Sequence, residues 1–219
     1  MCADCVTSLA TPAPSVHGVR VGNKLRFQDI GGIYHVNTKC VAGVKAFPDF
    51  RHRAVFMDMF GGELEDSDWI CLGYAIVGNH YHVEIRLKKL TLSSGFQRLN
   101  SRYARWYNRE HGRTGAFWQR RFYDSVVETD AHLLELQRYL AYQAPRANLA
   151  ETPEDWPYCS YGALIGAQPP DPWVDEEEVL SAFGPNLRRA RERLRQFVEE
   201  CDPRVRRQTL LRARSDAKK

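Results

Sequence analysis

Polar and apolar residues alternate over residues 32–39, where Tyr34, Val36 and Thr38 interleave with Ile33, His35 and Asn37. Period-two alternation predicts a half-buried strand. Pro48 and Asp49 then open a helix, predicted over about residues 49–61, with Val55, Met59 and Phe60 on one face. The apolar run 69–77 predicts a second strand. Gly78-Asn79 is a tight-turn signal, and 80–87 alternates again, so the two runs form a hairpin. Residues 91–111 keep helical spacing until Gly112. Residues 116–127 are aromatic and β-branched, which predicts a further strand. Thr129 or Asp130 caps a last helix, predicted to reach about Ala144 and to end at Pro145. The order strand, helix, hairpin, helix, strand, helix predicts an α+β fold, with an antiparallel sheet and helices mainly on one face.

Outside this stretch the pattern changes. Residues 1–27 carry Thr11-Pro12-Ala13-Pro14 and little periodicity, and read as a loose arm. Beyond about Gly166 an acidic linker, Asp171 and 175–178, leads into a basic helix from about Ala182 or Asn186 to Glu200. Three segments are expected: the arm 1–27, a folded domain 28–166, and a linker with a basic helical tail, 167–219.

Composition narrows the class. The chain has 219 residues, 43% of them apolar and 26% charged. That is globular composition, and it excludes wholesale disorder. The apolar run near residues 71–77 is far short of the roughly 20 residues a membrane helix needs. No secretion signal is visible, so a soluble cytoplasmic protein with reduced thiols is expected. Cys40, Cys71, Cys159 and Cys201 are scattered. Cys2 and Cys5 form a single CxxC with no paired second half, and are read as incidental.

The net charge is only +4, but residues 86–121 hold ten basic residues against one acid, and 188–219 hold twelve against five. Clustering of this kind fits a polyanion partner. Arg98, Arg102, Arg105 and Arg109 recur at spacings of four, three and four, so they form a stripe along one helix face suited to tracking phosphates. Trp106 and Tyr107 lie beside it, with packing or base stacking as their two readings.

The sharpest chemical feature is Gly78-Asn79-His80-Tyr81-His82. Histidines at i and i+2 of a strand point to one face and can share a divalent metal. Two histidines rarely suffice. The helix before Pro145 carries Tyr139 and Gln143 at i and i+4, neighbours on one helix face that can reach such a site. His17, His35, His52, His111 and His132 show no ligand spacing and are read as packing or surface residues.

Five segments in order resemble the single-tyrosine HUH transposases, and more closely the REP-associated tyrosine transposases. They are Tyr34-His35-Val36, then Gly78-Asn79-His80-Tyr81-His82, then Gly115-Ala116-Phe117-Trp118-Gln119-Arg120-Arg121-Phe122. The helix 138–147 and Pro153-Glu154-Asp155-Trp156-Pro157-Tyr158-Cys159-Ser160-Tyr161 follow. Gly78 stands where the family has Pro, and Gln143-Ala144-Pro145 where it has Asn-Pro.

The resemblance implies a ferredoxin-like, RRM-like palm. It implies His80, His82 and Gln143 as ligands of Mg²⁺ or Mn²⁺, and Tyr139 as a nucleophile that forms a 5′-phosphotyrosine link. A free phenol is mostly protonated at neutral pH, so the nucleophile needs a neighbouring base, metal or positive charge. Arg138 and Arg146 are candidates for the last. Arg98, Arg102, Arg105, Arg109, Arg120, Arg121, Arg138 and Arg146 are expected to contact DNA. The implied partner is single-stranded DNA with hairpins, handled by a monomer or homodimer near the nucleoid. The alternatives are a domesticated hairpin-binding or housekeeping protein of the same fold, a rolling-circle initiator, and a structural protein with an incidental His-x-His.

Overall fold

A computed structural model describes residues 28–200. The arm 1–27, with Cys2, Cys5 and His17, and the tail from 201 lie outside the described residues. Four strands, β1 (Ile33–Lys39), β2 (Trp69–Ile76), β3 (His80–Leu87) and β4 (Tyr123–Val127), form one antiparallel sheet in the order β2-β3-β1-β4. The helices are α1 (Phe50–Ser67), α2 (Leu92–Glu110), α3 (Asp130–Ala141), α4 (Gln143–Arg146), α5 (Tyr161–Leu164), α6 (Glu176–Ser181) and α7 (Leu187–Glu199). The α+β class and the antiparallel sheet are those the sequence predicts.

Alternation divides the sheet into two chemically different faces. Tyr34 and Val36 of β1 and Tyr81, Val83 and Ile85 of β3 face α1 and α2, and pack with Phe56, Phe60, Phe96, Leu99 and Tyr103 in one aromatic-rich core. Their neighbours His35, His80, His82 and Glu84 face the other way. The two long helices therefore do share one face. The opposite face is covered as well, by α3 and the later helices, through a second core. It holds Leu72, Ala75 and Val77 with Leu133, Leu136 and Leu140. The cause lies in β2, which is apolar on both faces and so must be buried on both. A bulge between Cys71 and Gly73 turns Leu72 into the second core.

Residues 167–199 do more than link. Val179 and Leu180 of α6 and Ala190, Leu194 and Val198 of α7 belong to the same core as α3. The Tyr142 hydroxyl donates to the carbonyl of Val198 at 3.4 Å. Cys40, Cys71 and Cys159 are buried free thiols.

Three boundaries differ from the expectation. Helix α1 runs on to Ser67, because Gly61 serves close packing and not termination: a Cβ there would lie 2.1 Å from the Trp173 ring. The expected strand 116–127 is regular only from Tyr123. Phe117 and Phe122 both enter the first core, although an odd spacing would send them to opposite faces of a strand, so the chain between them leaves extended geometry. Pro145 does not end the tyrosine helix. The break falls at Tyr142, and Pro145 lies in the short α4, where the missing N–H costs little in a first turn.

Asp49 caps α1. Its carboxylate accepts from the backbone N–H of His52 at 3.0 Å and pairs with His52 Nδ1 at 2.7 Å. Nε2 of His52 meets Nε2 of His111 at 2.8 Å, tying the start of α1 to the end of α2. The His52 hydrogen bonds hold the Asp49 carboxyl below its ordinary pKa. Asp49→Ala is predicted to cost about 1 kcal/mol in urea denaturation at neutral pH. A depressed carboxyl stabilises above its unfolded pKa, so this difference should shrink as pH falls through the folded value.

Candidate active site

The site begins with register. In the β1–β3 ladder Asn37 faces His82, Lys39 faces His80 and His35 faces Glu84. His80, His82, Glu84 and His35 therefore cluster on the sheet face beneath α3. His82 is 5% exposed and Glu84 fully buried.

Both strand histidines have their Nδ1 engaged. Nδ1 of His80 lies 2.7 Å from Oδ1 of Asn79, and Nδ1 of His82 lies 3.0 Å from Nε2 of His35. That leaves Nε2 of each ring for a further partner. The His80 and His82 rings are 5.0 Å apart and nearly perpendicular. Burial lowers the pKa of both, and for His82 the neighbouring His35 and His80 add to it. Burial, with His132 nearby, brings His35 down to about 4. All three rings are therefore neutral at physiological pH, the form a metal ligand needs.

Helix α3 lays Tyr139 over this cluster. The phenol ring stands edge-on to His82 at 5.2 Å and 86°, and to His35 at 5.9 Å and 74°. Gln143 is buried and donates from Nε2 to the Tyr139 carbonyl at 3.0 Å. Its side chain also bonds His80. The guanidinium of Arg146 lies 5.6 Å from the Tyr139 ring centre. His80, His82, Tyr139 and Gln143, drawn from two distant segments, are thus brought together on one sheet face.

The donor set fits a single hard-to-borderline divalent cation only if the amide takes part. Among the described residues no group of three or more His, Cys, Asp or Glu side chains can hold a metal. Two imidazole nitrogens with an amide oxygen form an incomplete N/O shell, leaving positions open for substrate oxygens.

Sequence reasoning passed over three members of this site. His35, by its spacing a packing or surface residue, touches both His82 and Tyr139. Glu84 continues the alternation of His80 and His82, which was the available signal. Its Oε2 accepts from Nε2 of Gln137 at 2.7 Å, and its Oε1 has no hydrogen-bond partner among the described residues. Burial pushes this carboxyl up to about 8. Gln137 also donates to the Leu72 carbonyl at 3.0 Å, so it joins α3 to both β2 and β3.

The arginines separate into groups. Arg98 forms an ion pair with the fully buried Glu63 at 2.6 Å and donates to Ser67 at 2.7 Å, which makes it part of the α1–α2 contact. Arg102, Arg105 and Arg109 are exposed, the first two lining a shallow groove with Ser94, Gln97 and Ser101. Because α2 packs on the aromatic face, this stripe lies across the sheet from the histidines. Arg120 and Arg121 are exposed. Arg138 pairs with Glu135 at 3.3 Å and stacks 3.7 Å over Phe197 of α7, while Arg146 lies over the Tyr139 ring. Trp106 packs at 5.4 Å from Tyr103 and at 5.8 Å from the Arg51 guanidinium.

Residues 34–143 match the family model described as IS200-like transposase, and the chain belongs to that family. A Haemophilus influenzae protein that carries the name REP-associated tyrosine transposase is 31% identical over 67 residues, 30% of this chain and 38% of that relative. The alignment thus spans little more than a third of the relative's length. A solved structure of a REP-associated tyrosine transposase bound to a REP hairpin superposes with a TM-score of 0.55, covering 68% of this chain and 89% of that one at 12% identity. That likeness establishes the fold. Among the described residues no helix is long and apolar enough to cross a membrane.

Two stability measurements check these assignments. In metal-free buffer, Glu84 is protonated when folded up to about pH 8 and ionises from about 4.5 when unfolded. Stability from this group is present below the unfolded pKa and is lost as pH rises toward 8. Glu84→Gln should therefore flatten the decline in stability between these pH values. Arg98→Ala, which strands a buried carboxylate, should cost about 3 kcal/mol or more, whereas Arg102→Ala should fall within about 0.5 kcal/mol of wild type.

Proposed function

We propose that the protein is a metal-dependent endonuclease and strand transferase of single-stranded, hairpin-bearing DNA. The observation that carries this reading is the placement of Tyr139 over His82, with Gln143 against His80, on one sheet face. The family match, and the similar solved structure that is bound to a REP hairpin, support the substrate class.

His80, His82 and Gln143 would hold the ion. When bound, Mg²⁺ or Mn²⁺ supplies Lewis-acid polarisation of the scissile phosphate and charge neutralisation near the leaving oxygen. The Tyr139 hydroxyl loses its proton and attacks phosphorus. The P–O3′ bond breaks, the 3′ oxygen takes up a proton, and the 5′-phosphate remains esterified to Tyr139. A 3′-hydroxyl attacking the same phosphorus reverses the exchange and joins strands, with no external energy source, because one phosphodiester replaces another. Arg146 places positive charge beside the ring where phenolate character develops. A buried, neutral imidazole pair keeps the ligand atoms unprotonated through mildly acidic pH.

DNA access is from the side of α3 and α4, where Tyr139 is half-buried and Arg146 exposed. Arg102, Arg105 and Arg109 face the far side of the sheet, so their role is to hold duplex or flanking strand away from the reacting phosphate. A strand in single-stranded form suits a site whose nucleophile is fixed on a helix and cannot reach into a stacked duplex.

The test is a gel assay with hairpin-bearing single-stranded oligonucleotides and Mg²⁺ or Mn²⁺. Wild type should form an SDS-resistant protein–DNA adduct, and Tyr139→Phe should form none. His80→Ala should lower adduct formation by about 100-fold while keeping hairpin binding within a few-fold. Absence of any wild-type adduct, or an adduct with Tyr139→Phe, would contradict the assignment.

A further inference from the structure

We propose that His35 is a positioning residue of this site: it accepts the Nδ1 proton of His82, holds the Nε2 lone pair of His82 toward the bound ion, and braces the ring of Tyr139. The inference rests on the metal-and-tyrosine reading above and adds to it a residue outside the His-x-His, Tyr and Gln set.

Four observations converge on it. Nε2 of His35 lies 3.0 Å from Nδ1 of His82. The two ring planes lie within 16° of parallel and the ring centres are 5.2 Å apart, a separation that fits a bond running from ring edge to ring edge. His82 is 5% exposed, which leaves its Nδ1 dependent on a protein partner. Finally, Tyr139 rests edge-on against His35 as well as His82, so removing the His35 ring opens space on one side of the nucleophile.

The physical consequence concerns a tautomer. A neutral imidazole carries one proton, and the nitrogen that carries it cannot ligate. A hydrogen-bond acceptor at Nδ1 fixes the proton there and frees Nε2, the usual arrangement around metal-bound histidines. Asn79 does this for His80 at 2.7 Å. His35 does it for His82 from a different strand, so the pairing of β1 with β3 becomes a condition of ligand geometry. Here the acceptor is itself an imidazole, which requires His35 to carry its own proton on Nδ1 and present Nε2 to His82.

The experiment has a metal-free arm and a metal arm. Long-range ¹H–¹⁵N NMR of histidine-labelled, metal-free protein should find His82 as the Nδ1–H tautomer in wild type and shifted toward Nε2–H in His35→Ala. Mn²⁺ titration followed by electron paramagnetic resonance should give a roughly 10–100-fold weaker site in His35→Ala. His35→Gln, whose amide oxygen reaches the place of Nε2, should recover affinity to within a few-fold. Thermal melts verify that each variant is folded, and His35→Leu against His35→Gln gives the same contrast should the alanine variant fail to fold. An Nε2–H His82 in wild type, or unchanged Mn²⁺ affinity in His35→Ala, would overturn the proposal. A wild type whose Mn²⁺ binding does not respond to His80→Ala would instead overturn the metal reading, while the tautomer measurement still decides the His35–His82 bond.

Discussion

The placement of Tyr139 depends on one buried hydrogen-bond junction, Gln137 with Glu84 and the Leu72 carbonyl. Helix α3 must dock on a sheet face that carries polar side chains, and an amide with two donors meets the Leu72 carbonyl and one carboxyl oxygen of Glu84 at once. The bulge at Leu72 turns one carbonyl toward the helix, and Gly73 beside it supplies room: a Cβ there would stand 3.0 Å from Leu140 and 3.1 Å from Gln137. Glu84, held neutral by burial, completes the junction. Tyr139 follows from this anchor two residues further along α3, and Gln143, past the break at Tyr142, is tied back to it through the Tyr139 carbonyl. An unpaired carboxyl or carbonyl here would cost on the order of 1–3 kcal/mol.

The sheet then acts as a partition. On one side an aromatic core fixes α1 and α2 and makes β1 and β3 rigid. On the other, the alternate residues of those same strands are free to be histidines, because their neighbours already provide the burial. Helix α7 closes the arrangement from outside. Phe197 stacks on Arg138, and the Val198 carbonyl accepts from Tyr142, so the helix that carries Tyr139 is gripped at both its sheet-facing and outward surfaces. A segment rich in arginine thereby contributes to packing, with Arg191 paired to Glu176 and Arg195 to Glu154 at 3.6 Å.

The local signals were legible and the tertiary ones were not. Period-two alternation placed His80 and His82 on one face, and the i, i+4 spacing placed Tyr139 beside Gln143, because both follow from backbone geometry alone. Joining the two pairs required the family resemblance, since nothing in either segment states where α3 docks. The sequence marks His35 only as a packing or surface residue because its partner is set by the β1–β3 register, which a single sequence does not encode locally. The stripe 98–109 was read correctly as a helix face. Which side of the sheet it occupies, and that Arg98 meets the buried Glu63, depend on packing between helices. Pro145 misled for a related reason: its position within the first turn, not its presence, decides whether it ends a helix.

The central claim is that β3, α3 and α4 build one metal-binding tyrosine site. It is tested most directly by the anomalous signal of Mn²⁺ in crystals of the full chain. The account predicts a single strong peak bounded by Nε2 of His80, Nε2 of His82 and Oε1 of Gln143, beneath the Tyr139 ring. A peak elsewhere, or none there under conditions in which the protein cleaves DNA, would contradict it.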